Sequence, residues 1–295
     1  MAIIRSSKGT TSTNGGAGRR VVGWSLLLSG VAAGSVLLNG STGALPVPQA
    51  KAPTPTPSFA MPQEHGSFFD PLDRIDAARW TVSDDWTNGD HQGCTWSRDN
   101  VSVSKGVLQI RLGRAADRLR PYRCGEIKST VPFGYGTYEV RMRTAAGSGL
   151  NSNMFTYSGK PLTPVHDEID FEFLGKSSGT VQLNFFASGK GDHGTLPELG
   201  FDTAAGFNDY AFNWTPGRIR WYVNGKLVRD ASGTDLPKVP GNLILSLWNG
   251  TKNIEDWLGP FDAARTPVAA EFDWIAYTKT GERCRFPQSV TCKLP

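Results

Sequence analysis

From Phe68 onward the sequence is a succession of short runs in which apolar and polar residues alternate with a period of two. The runs mix β-branched and aromatic residues and are separated by turn residues, which is typical of half-buried strands. Six runs carry the pattern most clearly: VLQIRL (107–112), GTYEVRMRT (136–144), TVQLNFF (180–186), IRWYVNGKLV (219–228), NLILSLW (242–248) and EFDWIAYTK (271–279). This periodicity restricts the body of the chain to β structure.

The connections between the runs indicate how the strands pair. Asn224-Gly225 between WYV and KLV predicts a type I′ hairpin, and Pro216-Gly217 predicts a second turn. LDRIDAARW (72–80) is the only fair candidate for a helical turn, so crossover helices are missing and βαβ folds are excluded. We expect one all-β domain, an antiparallel β-sandwich of the jelly-roll type, over residues 63–295.

Residues 1–44 have the organisation of an export signal. They contain four basic residues and no acidic one, and Arg19-Arg20 precedes the apolar-leaning segment Val21–Leu38 and the small residues STGA. Eighteen such residues could instead span a bilayer, although only at the short end of the ~17–25 usually needed. We expect secretion to the periplasm or the medium, with no stable membrane insertion after export.

Residues 45–62, LPVPQAKAPTPTPSFAMP, carry six prolines and favour an extended polyproline II spacer. The alternative is an arm that lies on the following domain. Outside the leader, 27 basic residues balance 27 acidic ones. The excess positive charge therefore belongs to the leader, and the body has no net field to attract a polyanion, which argues against nucleic acid as a partner.

Four cysteines in an exported chain predict disulfides, and four allow three connectivities. The local pairing joins Cys94 to Cys124 and Cys284 to Cys292. Loop closure would then stabilise the fold by roughly 3.5 kcal/mol for the first bond and about 2.5 kcal/mol for the second. A metal site is the competing interpretation, but the sequence has no CxxC or His-rich spacing to support it.

The stretch VHDEIDFEFLG (165–175) places three acids at alternate positions. On a strand Glu168, Asp170 and Glu172 share one face, while Ile169, Phe171 and Phe173 share the other. Such a face is often merely solvated. However, strands disfavour Asp and Glu, and like charges on one face raise one another's pKa without structural gain. The arrangement costs stability, which indicates function.

Retaining glycoside hydrolysis needs two carboxyl groups about 5–5.5 Å apart, one as nucleophile and one as acid. The Cα atoms of Glu168 and Glu172 would be ~13 Å apart on a strand, so their side chains would lean together over Asp170. The spacing does not say which glutamate has which role. Calcium is a weaker interpretation of the three acids, because a straight strand cannot wrap an ion.

Eight tryptophans follow the leader, and they divide into two groups. Four lie in turn-like segments, where their flat faces could stack on sugar rings: Trp86, Trp96, Trp248 and Trp257. We expect the other four to pack in the core: Trp80, Trp214, Trp221 and Trp274.

The sequence resembles glycoside hydrolase family 16 in many blocks that occur in the same order from Gly66 to Lys279. The blocks include GSFFDPL, TNGDHQGCTW, CGEIKST, FGYGTYEVRM, MFTYSG, HDEIDFEFLG, VQLNFF, FNDYAFNW, LWNGT and FDWIAYT. Within the family it is most similar to the licheninases, which cleave β-1,3-1,4-glucan, and its tail resembles that of endoglycanases that trim succinoglycan. The resemblance implies a concanavalin-like jelly roll with a substrate cleft on the concave sheet.

The resemblance also implies roles for individual residues. Glu168 would be the nucleophile, Asp170 the modulating residue and Glu172 the general acid/base. Substrate contacts would come from Asn88, Glu126, Tyr157, Asn184, Trp248 and Trp257. Cys94 and Cys124 match the licheninase disulfide. No cofactor would be needed for catalysis, but a structural calcium is implied at Pro71, Gly106 and Asp273.

Two positions beside the implied cleft depart from the licheninase pattern. His166 stands where licheninases have Trp, and Lys128 replaces an Arg; we expect both to contact substrate. His166 recurs in plant xyloglucan-modifying relatives, some of which transfer glycan to another sugar. The predicted protein is a secreted, monomeric, retaining endo-β-glycanase that acts on β-1,3-1,4-glucan or a related exopolysaccharide such as succinoglycan. The alternatives are a transglycosylase and a non-catalytic glycan-binding jelly roll.

Overall fold

A computed structural model describes residues 66–115, 119–161 and 163–294, and the predicted export signal and linker lie outside these ranges. The described residues form fifteen strands: β1 Phe68–Asp70, β2 Trp80–Val82, β3 Cys94–Trp96, β4 Val101–Ser104, β5 Val107–Arg114, β6 Tyr122–Phe133, β7 Gly136–Arg143, β8 Leu150–Tyr157, β9 Glu168–Leu174, β10 Gln182–Phe186, β11 Asn208–Thr215, β12 Arg218–Val223, β13 Lys226–Ser232, β14 Gly241–Asn249 and β15 Val268–Lys279. One α-helix, α1, spans Glu255–Leu258. Short 3-10 helices occupy Arg98–Asn100, Lys252–Ile254, Ala263–Arg265 and Val290–Lys293.

The strands form two antiparallel halves that are joined at one corner. The first half has the order β10-β9-β8-β14-β6, and the second has the order β5-β15-β7-β11-β12-β13. A short pairing of β5 with β6 connects them. Within the described residues only β3 pairs in parallel, with β6. The predicted all-β jelly-roll sandwich is therefore confirmed.

The core lies between the two halves because each contributes the apolar face of its strands. Phe171 on β9 faces Tyr210 and Phe212 on β11, with ring centroids 5.7 and 6.4 Å apart. The indole of Trp221 on β12 donates to the backbone oxygen of Asp170 at 3.2 Å. Removing these large rings from water is the main driving force for the packing of sheet on sheet.

Local signals in the sequence correspond to the turns that are observed. Asn224 and Gly225 connect β12 to β13 and have φ angles of 49° and 76°. Positive φ at both positions is the geometry of the predicted type I′ hairpin. LDRIDAARW forms only a turn before β2, whereas the α-helix among the described residues is the single turn Glu255–Leu258.

The cysteines form two local disulfides, Cys94–Cys124 and Cys284–Cys292. The first joins β3 to β6. The second closes the carboxyl-terminal tail, which packs on the outer face of the second sheet. There Glu139 accepts hydrogen bonds from Ser289 Oγ and from the Val290 backbone, the latter at 2.7 Å. The tail therefore covers the side of the sandwich opposite to the acidic strand.

Candidate active site

β9 has the two faces that the alternating pattern predicts. Ile169, Phe171 and Phe173 are buried in the core. Glu168, Asp170 and Glu172 project from the opposite surface of the first sheet, which we call the cleft face. Among these three acids Asp170 is only 2 % exposed, so the acidic stripe is not an ordinary solvated surface.

The strand register places each acid in a row of side chains that crosses the cleft face, because directly paired residues point to the same side. The row of Glu172 consists of Gln182, Glu172, Asn153, Ser246 and Glu126. The row of Asp170 consists of Asn184, Asp170, Phe155, Ile244 and Lys128. The row of Glu168 includes Phe186, Glu168, Tyr157 and Asn242.

Glu172 has the environment of an acid that holds its proton. Burial, followed by the charge of Glu168, raises the pKa of Glu172 to about 8. Two amides oppose this rise: Asn151 donates to Oε1 at 3.2 Å, and Gln182 donates to Oε2 at 3.0 Å. Glu172 is therefore protonated at neutral pH and held at both oxygens.

Asp170 lies between the two glutamates and is the most buried of the three. Burial, and then the charges of Glu168 and Glu172, raise the pKa of Asp170 well above its ordinary value. A side-chain hydrogen bond with Glu168 acts in the same direction, and the charge of Arg229 acts against it. When Asp170 is protonated, its O–H donates this hydrogen bond to Glu168. Asp170 then carries no charge of its own, and the bond orients the carboxylate of Glu168.

Glu168 also contacts His166, whose Nε2 lies 2.6 Å from Oε2. An ionised carboxylate only accepts hydrogen bonds, so Nε2 carries the hydrogen in this pair. The imidazole stacks on Phe186 with centroids 4.9 Å apart, and it lies 5.1 Å from the ring of Tyr157. His166, which we predicted as a substrate contact, thus touches Glu168, the carboxylate that we predicted as the nucleophile.

Two amide oxygens on the cleft side have no hydrogen-bond partner among the described residues. They are Oδ1 of Asn184, which pairs with Asp170 in the register, and Oδ1 of Asn151, whose amide nitrogen donates to Glu172. Buried polar atoms are rarely left unsatisfied. Both oxygens are closed off from the surface, so their missing donors do not identify a sugar contact, and the role of Asn184 stays a prediction.

Glu126 and Lys128 lie on β6, three strands away from β9. Glu126 is 4 % exposed and accepts a hydrogen bond from Ser83 Oγ at 2.6 Å. Burial raises the pKa of Glu126 to about 7, against the effects of Ser83 and Lys128. Three inter-strand spacings separate Glu126 from Glu172 by about 14 Å. A single ligand can therefore contact both residues only if it extends well beyond the acids of β9.

Three side chains border the row of Glu172 at the end of β14, and we call them the aromatic group: His91, Trp248 and Trp257. Trp248 is 6 % exposed and lies between His91 and Trp257, with centroids 5.7 and 6.0 Å away. Asn88 lies in the neighbouring loop, where its backbone nitrogen donates to Gln92 Oε1 at 3.4 Å. Gly93 of this loop bonds Asn249 O at 2.7 Å, so the loop is attached to the end of β14.

The four tryptophans of the first predicted group differ in accessibility. Trp86 is exposed and Trp257 half-buried. Trp248 lies in the strand β14 instead of a turn and is almost fully buried, and Trp96 is fully buried in β3. The expectation that Trp96 stacks on a sugar was therefore wrong. Its side chain packs beneath Trp86, with centroids 6.2 Å apart. The four tryptophans assigned to the core are buried, as predicted: Trp80, Trp214, Trp221 and Trp274.

The positions implied for calcium lie at one edge of the second sheet. Pairing of Asp70 with Ile275 and of Leu108 with Phe272 brings Pro71 and Gly106 towards Asp273. These residues fit calcium only in part, because Asp273 is the single charged donor and pairs with Arg141 at 3.3 Å. No cluster of three or more His, Cys, Asp or Glu suited to a metal occurs in the described ranges.

The sequence reasoning missed four polar residues that the register brings to the acids. They are Asn151, Asn153, Gln182 and Ser246. A signal was available, because Asn151 and Asn153 stand at alternate positions of LNSNMFTY, as the acids do in DEIDFEF. The stretch lacks charge and was not recognised as a strand.

Comparisons with known proteins agree with this geometry. The chain is 45 % identical to "Endo-1,3-1,4-beta-glycanase ExoK" of Rhizobium meliloti (strain 1021), over 77 % of this chain and 84 % of that protein. It is 41 % identical to a "Beta-glucanase" of Bacillus amyloliquefaciens, over 74 % of this chain and 89 % of that protein. The solved Bacillus licheniformis beta-glucanase superposes with a TM-score of 0.70 at 39 % identity, over 74 % of this chain and 100 % of that one. The family profile "Glycosyl hydrolases family 16" matches residues 88–276, and the chain belongs to this family.

Proposed function

We propose that the protein is a retaining endo-β-glycanase that hydrolyses β-1,3-1,4-linked glucan or a related β-linked exopolysaccharide such as succinoglycan. One observation carries the proposal. A glutamate that is protonated at neutral pH, Glu172, shares the face of one strand with Glu168, which accepts hydrogen bonds as a carboxylate. Such a pair supplies an acid and a nucleophile to the same glycosidic bond.

In the first step Glu168 attacks C1 of the sugar while Glu172 donates its proton to the glycosidic oxygen. The bond from C1 to that oxygen breaks, the leaving chain departs as an alcohol, and an ester joins C1 to Glu168. Asp170 and His166 orient the attacking carboxylate through their hydrogen bonds. Because both donors are fixed before the reaction, little reorganisation is needed in the transition state.

In the second step the ionised Glu172 accepts a proton from water as the water attacks C1. Glu168 then leaves as a carboxylate, and the anomeric configuration of the substrate is restored. The amides of Asn151 and Gln182 stabilise the charge on Glu172 in this step. The reaction uses carboxyl groups and water alone, and no step requires a metal or cofactor.

Attack inside a polymer is supported by the length of the row that contains Glu172. It crosses five strands from Gln182 to Glu126, which corresponds to about 19 Å. Several sugar units fit along this distance. The names of the relatives support a mixed-linkage β-glucan, while His166 and Lys128 mark the places where this cleft differs from that of licheninases.

Export and the oligomeric state are further parts of the proposal. Two disulfides among the described residues support folding in an oxidising compartment. Among the described residues no helix has the length and apolar character needed to cross a bilayer. We propose a secreted monomer, released by cleavage of residues 1–44. Equilibrium sedimentation of the mature protein, which should give the mass of one chain, tests the monomer.

A structural calcium at Pro71, Gly106 and Asp273 remains a weaker proposal. An ion there would have to compete with Arg141 for the carboxylate of Asp273. Thermal unfolding with calcium and with a chelator tests it. A Tm that is equal in both conditions contradicts the site.

The activity is tested with a panel of lichenan, laminarin, xyloglucan and succinoglycan. Reducing ends should accumulate from lichenan or succinoglycan, and oligosaccharide sizes should show internal cleavage. A labelled acceptor that becomes longer would instead indicate glycan transfer. Glu168→Gln should abolish cleavage, whereas Glu198→Gln, the same change at an exposed site, should leave it intact. Full activity of Glu168→Gln, or binding without cleavage of any polymer, contradicts the proposal.

A further inference from the structure

A chain of two hydrogen bonds leads from the aromatic group to the catalytic acid. Trp257 Nε1 donates to Gln182 Oε1 at 2.8 Å, and Gln182 Nε2 donates to Glu172 Oε2 at 3.0 Å. Trp257 belongs to α1, whereas Gln182 and Glu172 are directly paired residues of β10 and β9. A residue of the short helix α1 is thus connected to the acid through one amide.

The chemistry of the indole fixes the direction of this chain. An indole N–H is a donor only, so the atom of Gln182 that faces it must be the amide oxygen. The NH2 group then faces Glu172. If the amide were reversed, its oxygen would accept from a protonated Glu172 and its NH2 would oppose the indole N–H. Without the indole of Trp257, the remaining contact with Glu172 does not decide which way the amide of Gln182 is turned.

We propose that Trp257 and Gln182 are positioning residues for Glu172. The indole of Trp257 holds the Gln182 side chain in one orientation, so that the amide NH2 donates to the carboxyl group of Glu172. The inference rests on the proposed function and deepens it. Glu172 must be protonated in the first step and ionised in the second. A donor fixed on Oε2 favours the ionised form and limits the rise in proton affinity that burial causes.

The position of Trp257 connects this device to the substrate. Its ring lies 6.0 Å from that of Trp248, and it is half-buried at the edge of the cleft face. A sugar that packs against these rings presses on the residue that orients Gln182. Binding at the aromatic group and proton transfer by Glu172 therefore share one hydrogen-bonded element.

We expect the other groups around Glu172 to keep their own contacts when the indole N–H is removed, because that N–H donates to Gln182. Glu168 and Asp170 face it along β9, and the charge of Arg229 acts on Asp170 from the opposite sheet. α1 adds Glu255 and Asp256, and Lys176 Nζ donates to the backbone oxygen of Asp256 at 3.4 Å. β8 contributes the uncharged Asn151. A change in titration can therefore be assigned to the amide.

The test follows the ionisation of Glu172 by NMR in protein labelled with ¹³C at glutamate carboxyl carbons, with Glu172→Gln identifying the signal. Trp257→Phe keeps an aromatic ring but removes the N–H, and Gln182→Leu removes the amide. Each should raise the titration midpoint by about 0.5–1 pH unit, because the ionised form loses a donor. The alkaline limb of kcat/KM should move in the same direction.

The double variant and a matched control complete the design. Trp257→Phe should add no further shift in the Gln182→Leu background, since the indole acts through the amide. Trp248→Phe makes the same chemical change on the neighbouring ring and should leave the midpoint in place, even if KM rises. An unmoved midpoint in Gln182→Leu or Trp257→Phe, or additive shifts in the double variant, overturns the inference. Absence of glycanase activity would overturn the proposed function instead, because the NMR titration does not depend on turnover.

Discussion

Three buried glutamates in this protein bind protons more tightly than glutamate does in water. The pKa is raised to about 7 for Glu126 and Glu139, and to about 8 for Glu172. Burial is the largest cause at all three positions, but Glu172 also faces the charge of Glu168 on its own strand. Glu139 also faces a carboxylate, that of Asp209, but it lies on the outer face of the second sheet beneath the tail. Of these three glutamates, Glu172 is the one that faces a carboxylate on the cleft face, which is the pairing that glycoside hydrolysis uses.

The raised pKa of Glu172 predicts that the environment of this carboxyl group costs stability as the pH rises from 4.5 towards 8. An unfolded glutamate ionises near pH 4.5, whereas folded Glu172 keeps its proton to about pH 8. The contribution of Glu172 to the free energy of unfolding is therefore complete below pH 4.5, and it is lost as the pH rises towards 8. Glu172→Gln does not ionise, so its free energy of unfolding should exceed that of the wild type by an amount that grows with pH to roughly 3–5 kcal/mol, or about 6–20 °C in Tm.

Thermal unfolding between pH 5 and pH 8.5 measures this difference. Glu198→Gln is the control, because it replaces an exposed glutamate, and it should match the wild type throughout. A constant offset between Glu172→Gln and the wild type over this range would show that the substitution acts through packing instead of ionisation.

His166 shows how far individual roles could be derived from the sequence. The alternation in VHDEIDFEFLG was sufficient to place three acids on one face, because that conclusion depends only on the period of a strand. The contact of His166 with Glu168 depends on the chain just before β9, where Gly189 N donates to His166 O at 2.6 Å. His166 stands two residues before Glu168, so the same alternation places it beside the acids. No local pattern encodes its hydrogen bond with Gly189, which belongs to a separate loop.

Among the elements, strands with strong alternation and β-branched residues were recognised, whereas several that build the cleft were not. β8 has the sequence LNSNMFTY, and β6 has the sequence YRCGEIKSTVPF. Both carry polar residues on the cleft face, and β6 contains Gly125 and Pro132, which lower strand propensity. Function therefore weakens the strand signal in the elements that carry the site.

The two disulfides should both stabilise the fold, but only the first should affect kcat/KM. Cys94–Cys124 attaches the segment that follows Asn88 to β6, two residues before Glu126, whereas Cys284–Cys292 closes a tail on the opposite side. Replacing the first pair by alanines should lower the free energy of unfolding by roughly 3.5 kcal/mol and also weaken kcat/KM. Replacing the second should cost about 2.5 kcal/mol and leave kcat/KM unchanged.

Denaturant unfolding and polymer hydrolysis of the two double variants provide these values. The variant that lacks Cys284–Cys292 is the control, because it also loses a crosslink but one that lies away from the cleft face. A loss of kcat/KM that is equal in both variants would contradict the separation of the tail from the cleft.

At the scale of the whole molecule, the site is made by sheet register. Residues from Gln182 to Glu126 form one row, to which β9 and its sequence neighbours β8 and β10 contribute together with β14 and β6, which are distant in sequence. The fold class followed from the sequence because it depends on periodicity and turns. The row of side chains could not be predicted from the sequence, because the pairing of two distant strands is not specified by either strand alone. The family resemblance supplied Glu126 and Asn184, and the structure supplied Gln182 and Asn151.

The account depends most on the claim that Glu168 forms a covalent bond with the sugar and that water then replaces it. Proton NMR of the products in the first minutes of hydrolysis, before mutarotation, reports the configuration of the new reducing end. The account predicts that the β-anomer appears first and the α-anomer grows in later. Initial formation of the α-anomer would contradict it, because Glu168 would then act as a base for water and not as the nucleophile.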